Sequence, residues 1–364
     1  MSNKEITITP RQYTIIQTVF FGGMSFFLYP ELVANSTNQA YWIPVLFWLL
    51  ISLFGAFLYS KMMEPYPRKN IVEISILLMG KKLSFLLLLP LLVFWFNSIS
   101  LMIRAHAELV NMTMLPMTPI WVLSCLFVIP LLGAMGGITS VVRTLSVYSL
   151  ICVPLVFGIT ILGFQDIDYY LGKPWFKSSF DFLTSPDFYG SSYIWIGFIY
   201  CGMIGKYAKK VGQLWKSYFW ATLCFLPIVI TIVLFPILTF GPELTRSITF
   251  PYVLKMASVN NYWLIVESLT AIYISSVMIY VIGTISLIYY CIGKAIHNFF
   301  PQWGEKKILL IIGGLSYIVA LFIPSWDWLR QGVVIESPLR LFVAFLLPMI
   351  IVGQYTWKKR RCHK

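Results

Sequence analysis

Apolar positions along this chain gather into long blocks, broken by short polar stretches. Ten such blocks lie near residues 12–33, 41–60, 83–112, 119–137, 141–164, 188–205, 215–239, 262–293, 307–323 and 338–357. A bilayer core needs about 20 consecutive apolar residues per helix. Only helices and closed barrels satisfy their backbone in lipid. A barrel strand alternates apolar and polar residues, and runs such as Leu86-Leu87-Leu88-Leu89 do not. The pattern predicts an all-α polytopic membrane protein with ten transmembrane helices. Blocks three and eight exceed the bilayer's need, so they tilt or protrude.

Glycines interrupt two blocks at matching places. Span one carries Gly22-Gly23-Met24-Ser25, and span six carries Gly197, Gly202 and Gly205. Five spans make an odd-numbered unit, so a second copy enters the membrane with opposite orientation. This predicts two inverted five-helix repeats over residues 1–164 and 188–357, with an outer loop at 165–187 and a basic tail at 358–364. Broken helices at corresponding points of inverted halves point to a binding site at mid-membrane. Each glycine lowers helix stability by about 1 kcal/mol relative to alanine. Backbone unwound in lipid survives only where it lines a cavity or is packed in protein. Free N–H groups at a half-helix start suit a carboxylate, and free carbonyls suit an ammonium group or a cation. A second reading stands beside this one, in which the glycines simply permit close helix packing. The candidate substrate-binding residues are Gly22, Gly23, Met24 and Ser25 in span one, and Phe198, Tyr200, Cys201 and Gly202 in span six. Phe198 and Tyr200 are expected to wall a small pocket. Plain packing competes as a reading in a chain that is 17% aromatic.

Composition agrees with the pattern: 59% of residues are hydrophobic, 11% are charged and the mean hydropathy is +0.79. The formal net charge of +13 raises nucleic acid as a partner. Sorting the 27 Lys and Arg by loop removes it. Twenty fall on the side of the N-terminus and six on the other, with Arg104 inside span three. That bias places both termini in the cytoplasm. The charge then reads as an orientation signal plus contact with anionic lipid. Short loops between spans offer no basic surface for nucleic acid. Of six cysteines, five lie inside apolar spans and Cys362 lies in the basic tail. Without a Cys-x-x-Cys or Cys/His cluster, no disulfide framework, metal site or cofactor is expected. The first apolar block is too long and its flank too mixed in charge for a cleaved signal peptide. The outer loop carries Asp166, Asp168, Asp181 and Asp187. It reads as an ordinary solvated loop, or as part of a lid or partner surface.

Span three holds Asn97, Arg104, His106 and Glu108. A charge at mid-helix costs roughly 2.5–3.5 kcal/mol on insertion scales. Arg104 and Glu108 are spaced i, i+4 and share a face. Counting inward from Leu83 puts both near the outer boundary, where snorkelling is one reading. Glu267 lies at matching depth in span eight, so a salt-bridged outer gate of Arg104, Glu108 and Glu267 is the other. His106 reads as a packing residue before a proton relay.

These motifs resemble those of the membrane-embedded B subunit of spore germinant receptors, the endospore germination permease family. That family belongs to the amino acid–polyamine–cation transporter superfamily, with its five-plus-five inverted-repeat fold. The resemblance covers nearly the whole chain. It rests on Ile103-Arg104-Ala105-His106-Ala107-Glu108, on Leu115-Pro116-Met117-Thr118-Pro119, and on the opening Ile8-Thr9-Pro10-Arg11-Gln12. Pro30, the run Tyr66-Pro67-Arg68-Lys69-Asn70 leading to Glu73, Arg143 and Glu267 add to it. Gly22-Gly23-Met24-Ser25 stands where the family commonly has Gly-x-Gly. Ile204 stands where an acidic residue is frequent, and Ser268 where an Arg is common. The resemblance implies germinant sensing in the spore inner membrane. A small nutrient, an amino acid foremost, would bind between spans one, three, six, eight and ten, and A-type and C-type receptor subunits would be the partners. The alternative is a stand-alone amino acid transporter driven by a proton or sodium gradient. An enzyme finds no support, because the three His form no paired acid–base or metal constellation.

Overall fold

In a computed structural model, residues 7–177, 180–259 and 269–362 are described. Span one is two helices, α1 (Pro10–Met24) and α2 (Tyr29–Ser36), bent by 71° across residues 25–28. Span two is α3 (Trp42–Met63), followed by the short α4 (Ile71–Met79). Span three is α5 (Lys81–Thr113). Span four is α6 (Ile120–Ser124) and α7 (Val128–Met135), joined by a 3-10 turn over Cys125–Phe127. Span five is α8 (Gly137–Leu162). Span six starts as α9 (Pro186–Ser191), tightens to a 3-10 helix over Ser192–Tyr200, and ends as α10 (Cys201–Ile204). Span seven is α11 (Leu214–Phe240), followed by α12 (Pro242–Ser247) and α13 (Pro251–Ser258). The described part of span eight is α14 (Leu269–Phe299), and span nine is α15 (Glu305–Phe322). Span ten runs through α16 (Trp326–Ile335), α17 (Ser337–Leu341), a π turn over Phe342–Leu346, and α18 (Leu347–Cys362).

Among the described residues each apolar block is thus helical, but six helices are continuous enough to cross a membrane alone. Two bent pairs raise the number to eight. Spans four and six are divided into pieces too short for that test. Span ten is longer than its apolar block, because helical backbone continues through Glu336 (φ −72°, ψ −10°) back to Trp326.

Two of the quoted motifs prove to be helix starts. Thr9 and Gln12 form a reciprocal capping box on α1, and Asn70 and Glu73 form another on α4. Each meets two backbone donors that a helix start leaves unpaired. At the face carrying the described chain ends, the Ile8 amide donates to the Tyr207 carbonyl at 2.7 Å. Lys206 meets Glu73 at 3.4 Å on the same face. At the opposite face Arg246 donates to the Ala34 and Thr37 carbonyls at 2.8 and 2.9 Å. Lys255 is fully buried there and donates to the Gln165 carbonyl at 2.6 Å. Burial pulls its ammonium below the usual lysine range, and Asp166 pushes it back up. The acidic outer loop is pinned to the bundle: the Asp168 amide donates to the Leu238 carbonyl at 2.8 Å, and Trp42 Nε1 donates to the Trp175 carbonyl at 2.8 Å.

Candidate functional site

Span one breaks one turn beyond its paired glycines. Pro30 lacks an N–H and its ring clashes with the carbonyl four residues back, which weakens a helix through Phe26 to Pro30. Proline alone does not force the break, since α5, α8 and α11 continue through Pro90, Pro154, Pro227 and Pro236. Ser25 closes α1, its amide and hydroxyl both donating to the Phe21 carbonyl at 3.0 and 2.6 Å. Phe26 then packs edge-on to Tyr273, ring centres 5.2 Å apart. Gly22 and Gly23 sit inside α1 and not in the unwound stretch, which corrects the expectation that they mark the break. A methyl on Gly22 would lie 2.6 Å from the Tyr280 ring, and one on Gly23 would lie 2.4 Å from Thr284 Oγ1. Their place in the fold is close contact with α14, the packing reading.

Span six is irregular by tightening, not by a gap. Its nine-residue 3-10 stretch exceeds the three or four residues usual for that helix. Four candidates from this span sit in a packed layer toward the chain-end face. Phe198 meets Tyr59 and Tyr218 at 5.6 and 5.5 Å between ring centres. Tyr200 stacks on Trp95 at 6.0 Å. Cys201 Sγ contacts the Tyr13 hydroxyl. A methyl on Gly202 would lie 3.3 Å from both Ile71 and Tyr59.

Between this layer and the opposite face lies a cavity of about 50 Å³. Met24, Phe27 and Leu28 at the break of span one form one wall. Ser98, Met102 and Ala105 of span three, Tyr193 and Ile196 of span six, and Leu329, Val333, Glu336 and Arg340 of span ten complete it, together with Phe94 and Leu101. Of the span-one and span-six candidates, Met24 is the one that lines it. Its surface is largely apolar, with a few polar groups converging on it.

The strongest of these is the buried pair Glu336–Arg340. Arg340 is 1% exposed. It donates to the Gly190 carbonyl at 2.8 Å, to Ser192 Oγ at 3.0 Å and to the Val333 carbonyl at 2.9 Å. It therefore holds span ten to the point where α9 gives way to 3-10 helix. Its Nη2 is 3.6 Å from Glu336 Oε2, and its guanidinium lies 5.9 Å from the centre of the Tyr193 ring. Glu336 Oε1 and the Tyr193 hydroxyl have no hydrogen-bond partner among the described residues, although Tyr193 sits beside the Leu28 and Tyr29 amides.

Above the cavity α16 carries a second charged group. Arg330 Nε is 2.8 Å from Glu31 Oε1 of α2, and its Nη2 donates to Asp187 Oδ1 of α9 at 2.8 Å. Trp326 Nε1 reaches Glu31 Oε2 at 3.5 Å. One arginine thus joins span ten to the halves of spans one and six that lie away from the described chain ends. Of the expected gate, two members are described. Arg104 and Glu108 form a buried pair within α5 at 2.6 Å, and Arg104 also donates to the Pro324 carbonyl at 3.3 Å. Both side chains are enclosed by protein and do not snorkel. Glu267 lies outside the described residues.

Glu31, Asp187, Arg330, Glu336 and Arg340 were not among the candidates. Glu336 precedes Arg340 by four residues, the favourable order for a helical pair, and both stand at the edge of an apolar block. That signal was present in the sequence. The contacts of Arg330 with Glu31 and Asp187 had none.

A helical bundle whose first span is broken over a small, partly open cavity, walled by spans three, six and ten, defines a protein of the solute-transporter architecture. The chain belongs to the spore germination protein family, which matches it over residues 7–325. Two solved structures share its fold. MhsT, in complex with L-phenylalanine, superposes with a TM-score of 0.62 at 11% identity, over 94% of this chain and 97% of its own. Mhp1, a nucleobase-cation-symport-1 family transporter in a closed conformation with bromovinylhydantoin bound, gives 0.62 at 13% identity, over 93% and 78%. No curated protein matches the chain by sequence. The chain therefore shares the all-helical membrane fold of these two proteins, with span one broken and span six irregular, and is compatible with ten helices in two five-helix halves.

Proposed function

We propose that this protein is the nutrient-binding membrane subunit of a spore germinant receptor, and that its ligand is a small amino acid seated in the cavity at the break of span one. The observation that carries this reading is the cavity itself, with Glu336 Oε1 and the Tyr193 hydroxyl unpaired at its wall. An amino acid presents an ammonium, a carboxylate and an apolar side chain. Glu336 and the carbonyls that end α1 suit the ammonium. The amides that begin α2 suit the carboxylate, since a helix start carries partial positive charge. Met102, Ala105 and Ile196 suit the side chain. One water needs about 10–15 Å³ by the same measure, so about 50 Å³ holds a few heavy atoms. This favours a small solute of about alanine size. Arg330 acts as the outer closure, in the role first assigned to Arg104 and Glu267. Both termini lie in the cytoplasm, the membrane is that of the spore interior, and A-type and C-type subunits relay the closed state.

A ligand shifts the conformational balance only if it binds one state better than the other. The test is a thermal-shift panel on the purified chain in nanodiscs, with glycine, L-alanine, L-valine, L-phenylalanine and glucose. Stabilisation by a small amino acid that is lost in Glu336→Gln is expected. An equal response of wild type and variant to every compound would remove the site. Both fold neighbours are transporters, which keeps stand-alone ion-coupled uptake as the second reading. Uptake of labelled alanine by proteoliposomes holding this chain alone would favour it, and co-purification with a large A-type subunit would favour sensing.

A further inference from the structure

Span three borders two cavities. Met102 and Ala105 line the one at the broken helix. Ile103 and His106, one step round the same helix, line a second of about 10 Å³ between spans three, four and eight. Span four contributes Ser124 and Phe127 from its kink, and α14 contributes Val281 and Ile285. None of the residues lining this second cavity carries a fixed charge. Arg104 and Glu108, the charged neighbours of His106 on its own helix, engage each other.

Two polar side chains share this small space. His106 is 5% exposed and Ser124 is 1% exposed. Neither ring nitrogen of His106 nor the Ser124 hydroxyl has a hydrogen-bond partner among the described residues. Helix serines elsewhere in the bundle, such as Ser25, Ser100 and Ser146, return their hydroxyls to the carbonyl four residues back. Ser124 makes no such bond. A neutral imidazole carries one donor and one acceptor, and leaving both unmet in an apolar interior incurs the full desolvation penalty. A single water needs about 10–15 Å³ and two to four polar partners, which this space and these groups match.

We propose that His106 and Ser124 together bind one water molecule, which ties the back of span three to the kink of span four. Such a joint lets span three shift by re-forming two hydrogen bonds, without unpacking a close fit. The same helix presents Met102 and Ala105 to the larger cavity, so movement at the joint changes its shape. The site stands on its own geometry and holds whichever ligand the larger cavity takes.

The experiment is a double-mutant cycle on the full chain in detergent, with Ser124→Ala and His106→Phe. If a water bridges the pair, each single change strands a partner and lowers the apparent melting temperature by roughly 2–4 °C. The double variant then loses less than the sum. If nothing bridges them, removing either orphaned group leaves stability unchanged or raises it, the effects add, and the proposal is overturned. A second readout covers a variant that fails to fold. With His297 and His363 replaced by Gln, the ¹⁵N signals of the His106 ring should move on Ser124→Ala. A spectrum indifferent to that change would overturn the proposal as well.

Discussion

Arg340 concentrates the polar energetics of the site in one residue. It is buried, joined to Glu336, and bonded to carbonyls of two spans. Desolvating two charges is offset only when the partners are complete, so removing one partner of a buried pair costs roughly 3–5 kcal/mol. Arg340→Met is expected to lose about that much, and Arg340→Met with Glu336→Gln to lose less than the sum of the single changes. Chemical unfolding in detergent reads both, and additive losses would show that the pair is not coupled. Gly23 offers a purely steric case. Gly23→Ala brings a methyl against Thr284, and overpacking of this kind costs about 1–3 kcal/mol. Adding Thr284→Ala should restore part of the melting temperature, since the methyl would still lie 3.0 Å from the Tyr280 carbonyl. A Gly23→Ala protein as stable as wild type would mean that α1 and α14 are not in close contact.

At the scale of elements, Pro30 stands at the start of α2, just after the break in span one, and contributes to it. Pro30→Ala restores an N–H and removes the clash, which favours a continuous helix through Ser25–Leu28. Straightening would withdraw Phe27 and Leu28 from the cavity wall. Loss of alanine stabilisation with membrane insertion retained is the expected outcome, measured by the thermal-shift assay and by detergent extraction. Unchanged ligand response would place the binding site elsewhere. Span six uses a different device. Its 3-10 stretch spans nine residues and ends where Tyr200 and Cys201 are locked against spans one and three. Arg340 holds its outer end by the Gly190 carbonyl. Span six is thus fixed by packing at one end and by an arginine at the other.

Across the whole molecule, one contact set links spans one, six and ten on the face away from the described chain ends, which the proposed orientation makes the outer one: Glu31, Asp187 and Arg330. The helix that carries Arg330 also presents Leu329 and Val333 to the cavity. If these ion pairs hold the outer side closed, Arg330→Ala should speed access to the cavity. Ser98→Cys places a thiol on the cavity wall. Its modification by a small membrane-impermeant reagent should be several-fold faster when combined with Arg330→Ala. Equal rates in the two backgrounds would rule out Arg330 as the closure.

Hydropathy acts over about 20 residues, so it was legible along the chain and settled the membrane class and the apolar blocks. The break in span one was read at Gly22-Gly23 and lies one turn later, before Pro30. The quoted motifs identified the family. What lay beyond the sequence was which groups meet. Arg330 and Asp187 are 143 residues apart in the chain, and nothing local to either names the other. Met24 reaches the cavity while Gly22 and Gly23 do not, because the rotation of α1 is set by its neighbours α11 and α14. Phe198, Tyr200, Cys201 and Gly202 are packed away for the same reason. Local chemistry determined which segments are helical. Only the packing of helices against one another decided which side chains surround a space, since that depends on distances the chain order does not contain.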